Sequence, residues 1–246
     1  MSNQFLDRRR RVLPLVIAGA AALLVFVAVG VAIESALSPH KAESYTPPAA
    51  VAPPGSVTGV NPSGTSAVGI QGPLKIVQGS QLINGVHIGF THSSVGAVSA
   101  AVEYWTQIGS TLDPDRAAAI GRLVADPSWT QGPAQLAQGP VSTRKALGLP
   151  TTGAAPTGAS VVLEPVEYQL RSYSADDVSL LLLADYTTTA PNQGSQTHLG
   201  VFPLDLRWSV GDWKILAPSG STDYSNLAVE PGSAQASADG WQQLQQ

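Results

Sequence analysis

The sequence predicts an α+β protein carried behind a transmembrane helix, its exported part building a helical layer first and an antiparallel sheet after it. Three observations carry this. Val12–Ile33 is a run of 22 residues without a charge, residues 94–124 repeat apolar side chains at three- and four-residue spacing, and residues 160–216 alternate apolar with polar.

At about 1.5 Å per residue the uncharged run makes a helix of roughly 33 Å, enough to cross a hydrocarbon core of about 30 Å. Thirteen of its residues are Val, Leu, Ile or Phe. At about −0.3 to −0.6 kcal/mol each, they favour insertion by roughly 4–8 kcal/mol. A cleavable signal peptide is the competing reading, but its apolar stretch runs about 7–15 residues. Glu34-Ser35-Ala36-Leu37 is also a poor cleavage sequence. Arg8, Arg9, Arg10 and Arg11 stand directly before the run and hold residues 1–11 in the cytoplasm, because positive charge beside a span resists translocation. The expectation is a single-pass protein of the cell membrane, residues 12–34 in the lipid and everything after them extracytoplasmic. Ala18 and Ala22 form one small-xxx-small pair, a weak signal for helix pairing.

Beyond residue 34 there are nine basic and fifteen acidic residues, a net charge of −6. No basic stripe exists to neutralise phosphates, which argues against direct nucleic-acid binding. The chain has no cysteine, so disulfides, thiol catalysis and thiolate metal sites are excluded together. Few lysines among many Ala, Gly, Pro, Val and Thr residues point to a high-GC, actinobacterial genome. Residues 35–71 carry six prolines among Ala, Gly, Ser and Thr. Such a stretch buries too little apolar surface to offset its ordering entropy and reads as an extracytoplasmic stalk.

The folded unit is expected over residues 72–217. Leu74–Val77 and Val86–Ile88 are short β-like runs around the turn signal Asn84-Gly85, predicting a lead-in strand or hairpin. Ser94–Gly109 reads as a helix through Val95, Val98, Val102 and Trp105, with Ser93 or Ser94 as cap and Gly109 suited to the left-handed position after its end. A second helix starts at Asp113 and Pro114, presents Ile120, Leu123 and Val124, and stops at Asp126-Pro127. A poorer helical stretch covers residues 133–149, interrupted at Gly139-Pro140. Ser160–Tyr173 alternates Val166, Tyr168 and Leu170 inward against Glu167, Gln169 and Arg171, with Pro165 fitting only an edge or a bulge. After the turn Ser174-Ala175-Asp176-Asp177, Val178–Thr189 is apolar on both faces and belongs in the middle of a sheet. Thr197–Val210 puts Phe202, Leu204, Leu206, Trp208 and Val210 on one face, and Gly211-Asp212 turns the chain into Trp213–Leu216. Residues 218–246 read as a flexible tail in which Trp241 and Leu244 are able to dock.

Two stretches carry a resemblance. Leu204–Ile215, with Trp208, the Gly211-Asp212 turn and Trp213-Lys214-Ile215, resembles the closing hairpin of nuclear transport factor two-like (cystatin-like cone) domains. Gly89–Ala101, with its Gly-Phe-Thr-His-Ser-Ser-Val-Gly-Ala run, is similar to the opening of the first helix in exported domains of actinobacterial single-pass membrane proteins. The resemblance implies a curved sheet wrapping the helical layer. It also implies kinship with the bitopic scaffold subunit of type IV secretion and conjugation systems.

On such a cone, Tyr168, Leu182, Tyr186 and Leu206 are candidates to line a pocket between sheet and helices. Leu181 and Leu183 form a leucine stripe on a face otherwise polar, a candidate interface for partners or a second copy unless the lead-in or tail covers it. Asp185, Tyr168, Tyr186 and His198 are candidate acid–base groups, but their alternation does not bring them to one pocket. His92 beside Ser93 and Ser94 lacks a nucleophile context, and capping explains the serines. The four histidines show no ligand spacing, so neither a metal nor another cofactor is expected. Gly153–Ser160 mimics a phosphate loop without its lysine. The reading is a non-enzymatic, membrane-anchored scaffold for other membrane or envelope proteins in conjugative transfer or secretion. The alternatives are an exported binder of an apolar or lipid-like ligand and, less strongly, an isomerase or dehydratase on the same fold.

Overall fold

The computed structural model describes residues 72–245 except Asn192 and Ser221. The segments expected as a cytoplasmic tail with Arg8–Arg11, a transmembrane helix and a stalk lie outside the described residues. Among those described, no helix is long and apolar enough to cross a membrane.

The fold is α+β, with a sheet that curls into a half-barrel around a few helices. Its helical layer begins with α1 (Ser94–Gly109), capped by the Ser93 hydroxyl accepting from the Gly96 amide. One side of α1 is built from Gly96, Ala97, Ala100 and Ala101, small enough to bring the helix close to its neighbours. Gly109 does not take the left-handed position. It stays inside the helix, packed so close to Leu163 that a Cβ there would stand 2.7 Å from its Cδ1, and Ser110 ends the helix with φ −95°. α2 (Pro114–Val124) starts on the Asp113 carboxylate as expected. The third helical stretch breaks two residues before the Gly-Pro pair, giving α3 (Gly132–Leu136) and α4 (Gln138–Ala146) around Ala137. Gly139 and Pro140 sit in the first turn of α4, where proline's missing N–H has no helical partner to lose.

The main sheet has six strands, in the order β1 (Leu74–Lys75), β8 (Gln242–Gln245), β4 (Ser160–Tyr173), β5 (Asp177–Ala190), β6 (Gly194–Ser209), β7 (Asp212–Ile215). Its centre is β4, β5 and β6, antiparallel throughout, with β7 at one edge. β5 is flanked on both sides, as its two apolar faces require. Pro165 sits at a bulge: it pairs with Ala184, Glu167 pairs with Leu183, and Val166 is the extra residue between them. The bulge shifts the phase, so Val166 packs on the outer face instead of inward with Tyr168 and Leu170. Val210, expected on the apolar face of β6, is a turn residue 83% exposed.

The lead-in is a hairpin of β2 (Gln81–Ile83) and β3 (Val86–Ile88) around Asn84-Gly85. β1 (Leu74–Lys75) stands apart from it and runs parallel to β8 (Gln242–Gln245), with Leu74 opposite Leu244. Where a flexible tail is expected, residues 222–245 form a strap: a 3-10 turn at Ser225–Leu227, α5 (Ala234–Asp239) capped by Ser233, and β8, which joins β4 through Glu167–Gln243 and Tyr168–Gln242. The sequence hid this because each piece is shorter than its own periodicity, and docking rather than propensity holds it.

Candidate interaction site

Three chain reversals meet at one end of the half-barrel. The β3–α1 loop brings Phe90, Thr91 and His92, the β4–β5 turn brings Ala175 and Asp176, and the β6–β7 hairpin brings Trp208, Val210, Asp212 and Trp213. Asp212 is the hub. Its Oδ1 accepts from the amides of Phe90 and Trp213, each at 2.9 Å. Its Oδ2 lies 3.0 Å from the Tyr104 hydroxyl and 3.2 Å from Lys214 Nζ, which also donates to the Leu123 carbonyl at 2.8 Å. A buried carboxylate is tolerated where donors surround it. Here they come from the lead-in loop, α1 and β7 itself, so one side chain fastens three segments. Burial, and then the adjacent Asp212 charge, push the Tyr104 phenol far above its ordinary range.

Above this hub lies a more exposed layer. His92 stacks on Trp208 with ring centroids 4.2 Å apart and planes 7° from parallel, and Trp213 meets both rings edge-on. His92 Nε2 sits 2.8 Å from the Ala175 carbonyl and 3.0 Å from Asp176 Oδ1. Trp213 Nε1 donates to the Thr91 carbonyl at 2.9 Å. Arg207 donates to Asp177 at 2.9 Å. Asp126, after α2, receives both the amide and hydroxyl of Ser128, and its own amide donates to Ile215. Burial pushes its carboxyl up, but the Ser128 and Ser209 hydrogen bonds and the Arg207 charge outweigh this and hold it below the ordinary value.

His92 and Asp176 form a dyad without a substrate-facing nucleophile. Ser93 Oγ is engaged with the Gly96 amide and the Thr91 hydroxyl. The arrangement stacks, pairs and braces.

The four candidate pocket residues do share the inner face, and all are buried in the core. Tyr168 donates to the Gly72 carbonyl at 3.0 Å, and the Tyr186 hydroxyl lies 2.8 Å from that of Thr143. Burial raises both phenols. Leu182 and Leu206 are fully buried between strands and helices. Of the acid–base candidates, Tyr186 and His198 are cross-strand neighbours, while Asp185 pairs with Glu164 and Leu199 on the other face. Among the described residues, no group of three or more His, Asp or Glu is placed to hold a metal ion.

Leu181 and Leu183 are 1% and 0% exposed. They are not an open stripe: the strap covers them with Ala236 and Trp241, and Val166, Leu199 and Leu227 close the edges. The neighbouring polar residues of β4 are covered as well. Glu167 accepts from the Gly232 amide, and Gln169 donates to the Asp239 carbonyl.

Sequence reasoning missed Tyr104, Lys214 and the role of Asp212, which reads as a turn residue after Gly211. The signal was present in another form. The two stretches that carry the resemblance, 89–101 and 204–215, are each other's partners in space, through Phe90–Asp212, Thr91–Trp213 and His92–Trp208. What looks like two motifs is one contact.

The molecule is thus a sheet-and-helix domain whose most connected polar residues join its own loops. The chain belongs to a family described as a domain of unknown function (DUF8175), whose model matches residues 42–243. No curated protein and no solved structure matches it.

Proposed function

We propose that this chain is a membrane-anchored extracytoplasmic interaction module that catalyses no reaction, serving an envelope assembly of the conjugative-transfer or secretion kind. What supports this most is the packing of the inner face. Tyr168, Leu182, Tyr186 and Leu206, the residues that would line a ligand cavity, are buried against neighbours, and the two phenols bond within the fold. The polar cluster around Asp212 likewise serves the fold, holding three segments in register. On this reading, residues 12–34 engage the bilayer, Arg8–Arg11 fix the orientation, and the domain presents its surface to other membrane or envelope proteins or to a second copy.

The test uses the full chain in its native membrane. A C-terminal tag should be degraded by protease added to intact spheroplasts, and lysine-directed crosslinking should join the outer domain to discrete envelope proteins. A protected tag overturns the topology. A small apolar molecule co-purifying in stoichiometric amount, with no protein adduct, replaces this reading with that of an exported ligand carrier.

A further inference from the structure

The molecule contains the same two-residue hairpin turn twice, with different chemistry. Between β2 and β3, the central residues are Asn84 at φ 51° and Gly85 at φ 75°. Between β6 and β7, they are Val210 at φ 56° and Gly211 at φ 78°. Asn-Gly is the sequence this turn favours, because both positions need positive φ and asparagine tolerates it. A β-branched residue there is a steric outlier. Left-handed backbone at such a residue stores strain.

Val210 buries little against the fold in return. The residue is 83% exposed, while Trp208 nearby is half-buried and stacked on His92. One exposed valine is ordinary on any surface. A valine that is exposed and also strained, where the same fold elsewhere places asparagine, calls for a contact outside the chain. The surroundings say what kind. Asp176, its Oδ1 resting on His92 Nε2, stands at the same end with its side chain still 62% exposed, and the Asp177 charge nearby is balanced by Arg207. A knob of one aliphatic side chain with a carboxylate beside it suits an aliphatic socket edged by Lys or Arg. It does not suit an anionic lipid surface, which repels carboxylates and takes wider apolar faces.

We infer that the β6–β7 hairpin tip is a docking knob: Val210, supported by Trp208 and His92, inserts into an apolar socket with a basic rim on a partner protein. This rests on the interaction-module reading above and names its contact point.

Two measurements on the full chain test it. Val210→Asn relieves the strain, so the purified protein should melt about 2–4 °C higher, the shift expected for about 1 kcal/mol at this size. In cells that natively express the chain, a diazirine-bearing aliphatic residue in place of Val210 should give one discrete protein adduct, mapping to an apolar segment flanked by Lys or Arg. The same probe in place of Leu82, exposed beside the Asn-Gly hairpin, should not give it. A probe in place of Asp176 should give that adduct too, and lose it at least tenfold when Val210→Asn is added.

A lower melting temperature for Val210→Asn shows that the valine serves the turn, and overturns the inference. So does an adduct with a second copy, an equal adduct from Leu82, or none from position 210. If domain-wide crosslinking finds a partner while position 210 stays unlabelled, the knob fails and the interaction module stands. If neither finds a partner, both fall.

Discussion

Asp212 shows how much one side chain does in a small domain. Four donors from three segments converge on its carboxylate, and Lys214, largely buried, balances its charge. Asp212→Asn keeps the shape but offers one acceptor oxygen and turns an amide NH₂ toward groups that are themselves donors. Breaking a buried pair in this way costs about 3–5 kcal/mol. The expected outcome in urea is a loss of unfolding free energy of that size, read as a lower midpoint and followed by tryptophan fluorescence because Trp213 adjoins the site. Asp126 gives a pH signature. Its folded pKa lies below that of an unfolded aspartate, about 3.9, so the fold favours the charged form. That contribution is fully present above about pH 4 and is lost as pH falls through the lower folded value. Asp126→Asn keeps an acceptor for Ser128 and removes the proton linkage. Its stability should therefore fall less steeply than that of the parent chain as the pH drops below about 4, read by circular dichroism.

Among the elements, the strap decides what surface the sheet presents. It is held by Trp241, whose indole donates to the Leu227 carbonyl at 3.1 Å, and by the Glu167 and Gln169 bonds to Gly232 and Asp239. Trp241→Ala removes the main apolar contact with Leu181 and Leu183, a truncation typically worth about 3–5 kcal/mol. The expected result is a loosened strap, an exposed leucine stripe and concentration-dependent self-association by light scattering. Amide exchange should rise in β1 as well as β8. Most of α1, α2, β4, β5 and β6 was legible in the sequence because each carries its own signal, such as Ser93, Asp113-Pro114 or the alternation around Leu204. The strap was not, since a six-residue helix and a four-residue strand rich in Gln form only against a surface already built. The Val166 bulge was half legible: Pro165 announced an irregularity but not which neighbour it would turn outward. Leu181 and Leu183 read as apolar on a polar face because the alternation of β4 and β6 does not show the register; Val166, Leu199 and Val201 share their face, and the strap covers it. The candidate site was legible least, because Tyr104, His92, Asp176 and Asp212 meet across long separations, and a hydrogen-bonding partner that far away leaves no local pattern.

For the whole molecule, the sheet order places β8 between β1 and β4, so the end of the chain lies inside the sheet rather than at its margin. Leu74 faces Leu244, and the Ile76 amide donates to the Gln245 carbonyl at 2.9 Å. Among the described residues, β1 has no other strand beside it. A ribosome makes these two strands far apart in time, β1 ahead of every other described element and β8 after them. Helices α1 and α2 and the β4–β7 meander can assemble as they emerge, but the latch over residues 72–76 waits for residues 242–245. A chain stopped before residue 242 leaves β1 without its neighbour and one edge of β4 open.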